Sequence, residues 1–154
     1  MISRDTVLRA HQWYQVGVSW VEKDAANMGL TYLERAISVF AEAGDRKRLI
    51  HAQHQRLVAL YKMRQDEEVE SHYEEVMQGY LELEDGYGQA LLLSLVAQSV
   101  ARQGRWERAL VHLNLAVTLA QAQGDQRLLS FLLARQATLL LEREDVQPAL
   151  RLLK

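Results

Sequence analysis

The sequence predicts an all-α protein, a solenoid of stacked helix hairpins, and three observations carry that prediction. Landmarks recur every forty residues: Asp5, Asp45, Asp85 and Asp125 share one phase, and Gly44-Asp45 and Gly124-Asp125 are the same junction two periods apart. A fixed period of about 20–50 residues is the mark of a repeat array. Within one period, Asp85 to Gly124, an apolar-periodic segment runs to a break at Gln103-Gly104 and a second runs on to a glycine. Leu, Ala, Gln, Glu and Arg dominate the 154 residues, with one proline (Pro148) and eight glycines. That mix favours helices and leaves β-hairpins short of turn residues.

The repeats fall at approximately 5–44, 45–84, 85–124 and 125–154, a single domain over 1–154. In repeat one, Leu8, Trp13, Val16, Gly17 and Trp20 form the apolar stripe of a first helix. After the turn Glu22-Lys23-Asp24, with Asp24 as the expected cap, a second helix carries Met28, Leu30, Leu33, Ala36, Ile37 and Phe40. Gly44 suits the left-handed position that ends a helix, and Asp45 caps the next. Repeat two places Leu49, Ile50, Leu57, Leu60 and Tyr61 before a break at Arg64-Gln65-Asp66, and Val69, Tyr73, Val76, Tyr80 and Leu83 after it. Repeat four begins at Asp125 with Leu128, Leu129, Leu132, Leu133, Leu139 and Leu140. A turn expected at Arg143-Glu144-Asp145 leads into a short last helix with Pro148 in its first turn, so this hairpin reads as incomplete.

Composition narrows the function classes. A net charge of -2 argues against nucleic-acid binding driven by a basic surface. The absence of cysteine removes disulfides, cysteine nucleophiles and thiolate metal sites. The N-terminus MISRDTVLRAHQWYQ lacks signal-peptide architecture, and no uncharged apolar run reaches the ~18 residues of a membrane helix. A cytoplasmic protein is the expectation. No serine lies in a Gly-x-Ser-x-Gly elbow, and no glycine-rich loop is built to cradle phosphate. Paired carboxylates such as Glu67-Glu68 and Glu74-Glu75 have the spacing of a solvated helix face. His11, His51 and His54 gather in related phases, but no nearby carboxylate completes a ligand set. The expectation is a protein that is not an enzyme and has no cofactor and no metal.

Within this frame the chain resembles the tetratricopeptide repeat family. Trp13, Val16, Gly17 and Trp20 stand at the W-x-x-L-G-x-x-Y positions, and Ala97, Gly104, Trp106, Ala109, Leu113 and Ala116 supply the rest of the signature in repeat three. Repeat four matches with Ala137 and Ala149. Repeat two departs: Leu57 and Val69 stand where small residues belong and Gln53 where the Trp belongs, so its helices sit further apart or its register shifts. A forty-residue period with a Gly-Asp junction is similar to that of kinesin light chains, the Rap-type regulators and the sensor domain of the maltose-regulon activator. The resemblance implies a right-handed superhelix of about four hairpins whose first helices line a concave groove. Pairs of small residues, Gly17 with Gly29, Ala97 with Ala109 and Ala137 with Ala149, then mark close approach within each hairpin.

Carried onto this sequence, the groove positions include His11, Tyr14 and Val18; His51, His54, Val58, Tyr61 and Lys62; Ser94, Gln98 and Arg102; and Phe131 and Thr138, with Val21, Leu91, Ala134 and Leu141 beside them. Such a set, aromatic, aliphatic and mildly basic, suits a peptide or partner protein with acidic anchors. Tyr14, His54, Ser94 and Ala134 stand where a carboxylate clamp needs asparagine, which puts a chaperone-tail clamp in doubt. The expected function is a non-catalytic scaffold for protein–protein interaction; the alternative is the ligand- or signalling-peptide-sensing module of a larger bacterial regulator. Charge is polarised in repeat two, where Arg46, Lys47, Arg48, Arg56, Lys62 and Arg64 precede an acidic second helix. The last element, from Val146, is apolar and too short to cover the helix before it, which leaves a longer array, a homodimer through this end, or fraying.

Overall fold

The computed structural model describes residues 1–152, with side chains described through residue 144. All secondary structure among them is helical: α1 (Arg4–Glu22), α2 (Ala26–Ala43), α3 (Arg46–Lys62), α4 (Asp66–Glu82), α5 (Gly86–Arg102), α6 (Trp106–Gln123) and α7 (Gln126–Leu152). The chain forms two compact units, Met1–Glu84 and Asp85–Lys154. In the first, α1 packs on α2, α2 on α3 and α3 on α4, and α1 also touches α3; in the second, α5 packs on α6 and α6 on α7, and α5 touches α7. Neighbours in sequence are thus neighbours in space, as in a helical repeat.

The forty-residue period is written into the backbone. Left-handed residues occur at Asp24, Arg64 and Gly104, and again at Gly44, Glu84 and Gly124, two series each spaced by forty. At five of these corners the next amide donates to the carbonyl five residues back: Ala25 to Trp20 at 2.9 Å, Asp45 to Phe40 at 3.0 Å, Gln65 to Leu60 at 2.9 Å, and Arg105 to Val100 and Asp125 to Ala120 at 3.2 Å. This is the Schellman closure, which satisfies carbonyls that a helix end otherwise strands. Asp24 therefore serves as the left-handed corner and not as the cap; the capping position falls to Ala25, whose side chain accepts no hydrogen bond. The aspartate series does cap the first helices. Asp45 accepts from the Arg48 amide at 3.3 Å, Asp85 from Gly88 at 2.8 Å and Asp125 from Leu128 at 3.0 Å. In repeat one that task moves to Ser3, which accepts from the Thr6 amide at 3.2 Å, and Asp5 lies inside the first turn.

Small residues bring helices together as the columns predict. Gly17 and Gly29 are both buried, and a Cβ on Gly29 would lie 2.6 Å from the Gly17 carbonyl oxygen, so α1 and α2 touch backbone to backbone. Ala97 and Ala109 are likewise fully buried. The α3–α4 hairpin is looser, because Leu57 and Val69 occupy the equivalent positions; the repeat-two register holds and its helices stand apart. Around these contacts Ala10, Ala36, Phe40 and Ala52 form one buried cluster and Val21, Ala26, Leu33 and Ala59 another.

Repeat four departs from the expectation. No turn forms at Arg143-Glu144-Asp145; α7 is one helix of 27 residues that runs through it. A corner there would put Glu144, the counterpart of Asp24, Arg64 and Gly104, into the left-handed region, at roughly 1 kcal/mol for a non-glycine residue. Asp24 and Arg64 accept that conformation ahead of second helices of 18 and 17 residues, whose packing offsets it. The expected first-turn place of Pro148 is lost with the corner: the helix runs through this proline, which has no amide to donate to the Glu144 carbonyl. As a result Leu133 and Leu140, counterparts of Trp13 and Trp20, are 45% and 42% exposed, and Ala137 is exposed with them. Ala149 and the expected C-terminal pairing surface lie outside the residues with described side chains.

Candidate functional site

The groove positions of repeats one and two come from α1 and α3, which lie side by side in the first unit. Tyr14, Val18 and Val58 gather there around Val21, Leu33 and Ala59. His11 stacks on Tyr14 with ring centroids 5.9 Å apart, and its Nδ1 is buried without a hydrogen-bond partner. Burial raises the Tyr14 phenol above its ordinary pKa, since the phenolate loses hydration. Lys62 Nζ donates to the Val21 carbonyl at 2.8 Å and lies 3.6 Å from Asp24, so this cation ties α3 to the end of α1. His54 points into the α3–α4 hairpin: it is 7% exposed, and its Nδ1 shares a 2.6 Å hydrogen bond with the Tyr80 hydroxyl. His51 also lies against the Tyr80 ring, 5.9 Å between centroids, and Tyr61 is half-buried. Much of the basic and imidazole character expected on the groove is thus engaged within the unit.

The charge asymmetry of repeat two resolves into bridges between neighbours. Arg46 pairs with Glu82 at 2.9 Å across the hairpin, and Arg56 approaches Glu34 of α2 at 3.7 Å. These pairs are solvated and contribute little stability each; their effect is to keep α3 between two acidic partners.

In the second unit the groove positions separate by exposure. Ser94 is buried with no hydrogen-bond partner for its Oγ, Gln98 and Arg102 are half-buried, and Phe131 and Thr138 are exposed. Thr138 Oγ1 donates to the Ala134 carbonyl of its own helix at 2.9 Å. Beside Phe131 the chain forms a recess of about 260 Å³ between the starts of α5 and α7, lined by Tyr87, Leu91, Asp125, Arg127, Leu128 and Phe131. Tyr87 is 52% and Phe131 41% exposed, two aromatic rings left open to water at one mouth. The Arg135 guanidinium lies 5.2 Å from the Phe131 centroid and fixes that ring by a cation–π contact. Asp125 is occupied as the α7 cap, which leaves Arg127 as the charge at the rim. Tyr87 and Arg127 were not among the expected site residues. Each lies four positions before a groove residue, Leu91 or Phe131, so extending the columns one turn toward the helix starts would have found them.

No family model, no curated protein and no solved structure matches the chain. The recess is therefore read on its own chemistry: an apolar floor, two aromatic walls and cationic Arg127 and Arg135 beside them.

A second recess of about 240 Å³ opens where α2, α3 and α4 meet, lined by Ile37, Gln53, Arg56, Leu57, His72, Glu75 and Val76. Among the described residues no group of three His, Asp or Glu is placed to hold a metal ion, and no helix is long and apolar enough to cross a membrane.

Proposed function

We propose that the chain is a non-catalytic interaction module of the tetratricopeptide type, which binds a peptide or partner protein through the face made by the first helices of its hairpins. The observation that carries this reading is the recess at Tyr87, Leu91, Leu128 and Phe131, where exposed aromatic side chains surround an apolar floor beside Arg127. Aromatic and arginine side chains dominate binding hot spots because they combine large contact area with few torsions to freeze and a donor at the tip. The partner segment presents an aliphatic or aromatic anchor to the recess and a carboxylate to Arg127. We place the module in the cytoplasm, in keeping with a sequence that has no cysteine.

The test is an array of peptides carrying a hydrophobic residue flanked by Asp or Glu, probed with the wild-type chain and with the Tyr87→Ala, Phe131→Ala double variant. Loss of at least about tenfold in affinity for the peptides bound by wild type is expected. An unchanged set of bound peptides at unchanged affinity would remove the recess from the binding surface. The alternative reading, a module that senses a ligand or signalling peptide for a larger regulator, draws its support from the separate recess between α2, α3 and α4.

A further inference from the structure

Repeat two breaks the pattern of its neighbours with polar residues at one place. Where repeat one has Trp13 and Val16, and repeat three Leu93 and Val96, repeat two has Gln53 and Arg56. Opposite them on α4 stand His72 and Glu75, and these four residues share the walls of the recess with Ile37, Leu57 and Val76. The space has a physical origin. Gln53 is smaller than the tryptophan of repeat one, and Leu57 and Val69, in place of a pair of glycines, hold α3 and α4 apart.

The polar groups there are under-used. Gln53 Oε1 is buried without a hydrogen-bond partner. A buried acceptor left in that state is costly, and the terminal amide torsion is soft enough to turn toward a donor entering the recess. Glu75 is in no ion pair among the described residues. Arg56 Nε lies 3.7 Å from Glu34, beyond hydrogen-bond distance, so this pair leaves guanidinium donors for another acceptor. His72 is turned toward Glu68, 3.4 Å away on its own helix. The lining thus combines one guanidinium, one carboxylate, an imidazole, an amide and three aliphatic side chains.

We infer that this recess binds a free α-amino acid with an aliphatic side chain. The carboxylate is received by the Arg56 guanidinium, whose planar fork matches it. The ammonium is received by Glu75 and Gln53, and the side chain rests on Ile37, Leu57 and Val76. At about 240 Å³ the recess is below the ~300–1,000 Å³ of sites for drug-sized ligands, so the ligand is a single residue and not an extended peptide. This site is separate from the Phe131 recess and does not depend on the partner-binding reading.

The experiment is a titration of the whole chain with L-leucine, followed by proton–nitrogen NMR of the Gln53 side-chain amide and the α3 and α4 backbone amides. Saturable shifts confined to the recess are expected at millimolar ligand or below. N-acetyl-leucine, which lacks the ammonium, and leucine amide, which lacks the carboxylate, each bind at least about tenfold more weakly, the loss of one charge-assisted contact. Glu75→Gln abolishes the preference for leucine over N-acetyl-leucine, and Arg56→Gln abolishes the preference over leucine amide. Gln53→Trp restores the residue of repeat one and closes the space, so it removes binding while the helical circular dichroism is retained. Absence of shifts in the wild type overturns the inference. So does equal binding of the three ligands, or binding that survives both charge-removing variants.

Discussion

Replacement of Gly29 by alanine separates two opposing forces at the α1–α2 crossing. In an isolated helix the change stabilises by roughly 0.5–1 kcal/mol, because alanine loses less backbone freedom on folding. In this protein the new Cβ would lie 2.6 Å from the Gly17 carbonyl oxygen, 2.6 Å from Val21 Cγ2 and 3.2 Å from the Val21 amide nitrogen. Neither close neighbour yields easily: one is backbone, and the other is a β-branched side chain with 1% exposure. The helices must part, and overpacking of this kind costs about 1–3 kcal/mol. The net expectation is a loss of up to about 2.5 kcal/mol, with roughly 2–4 °C in Tm for each kcal/mol at this chain length. Urea unfolding followed by the fluorescence of Trp13 and Trp20, with Trp106 of the other unit replaced by Phe, measures it in the unit concerned. Gly17→Ala meets the Leu33 side chain at 2.9 Å and the Gly29 oxygen at 3.0 Å, and loses less. A Gly29→Ala variant more stable than wild type would show that propensity outweighs contact and that the crossing is not close.

Further outcomes follow from other contacts. Ala109 is fully buried, so Ala109→Leu lowers stability by about 1–3 kcal/mol in a urea titration, while the exposed Ala137→Leu changes it little. Tyr80→Phe removes the 2.6 Å hydrogen bond to His54 and costs about 1–3 kcal/mol, read by the same titration. For Tyr14, burial raises the folded pKa, so the native state keeps a proton that the unfolded chain releases. Stability from this group is complete below about pH 10 and falls as pH rises toward the higher folded value. Tyr14→Phe flattens that alkaline decline, and spectrophotometric titration of the wild type shows a late-ionising tyrosine that the variant lacks.

The hairpin frame was legible because its signals are local. Gly44, Gly104 and Gly124, with the aspartates at positions 45, 85 and 125, fix corners by conformational preference and capping, and the helices begin and end at them. The corner at Glu144 was misread for the opposite reason. Its sequence differs little from Arg64-Gln65-Asp66 and holds no glycine to mark a left-handed corner, so no local signal separates turn from helix there. The site was legible in its columns but not in its exposures. Phe131 and Leu91, expected on a groove, line a recess, yet periodicity has no means to show that His54 turns inward to Tyr80 or that Lys62 closes on the Val21 carbonyl. Gln53 was visible as a departure from pattern; that it leaves a recess depends on Leu57 and Val69 acting together.

The corners carry one more consequence. Glycine makes the bends at Gly104 and Gly124, whereas Asp24, Arg64 and Glu84 adopt the same handedness with side chains attached, at φ of 62°, 61° and 53°. Among the described residues, left-handed strain outside glycine therefore falls before Asp85. The bends at Asp24, Arg64 and Glu84 open at lower free energy, so their amides should exchange with deuterium sooner and proteases should nick them first. Glycine placed at Arg64 or Glu84 would relieve that strain, whereas at Asp24 it would also remove the carboxylate that faces Lys62.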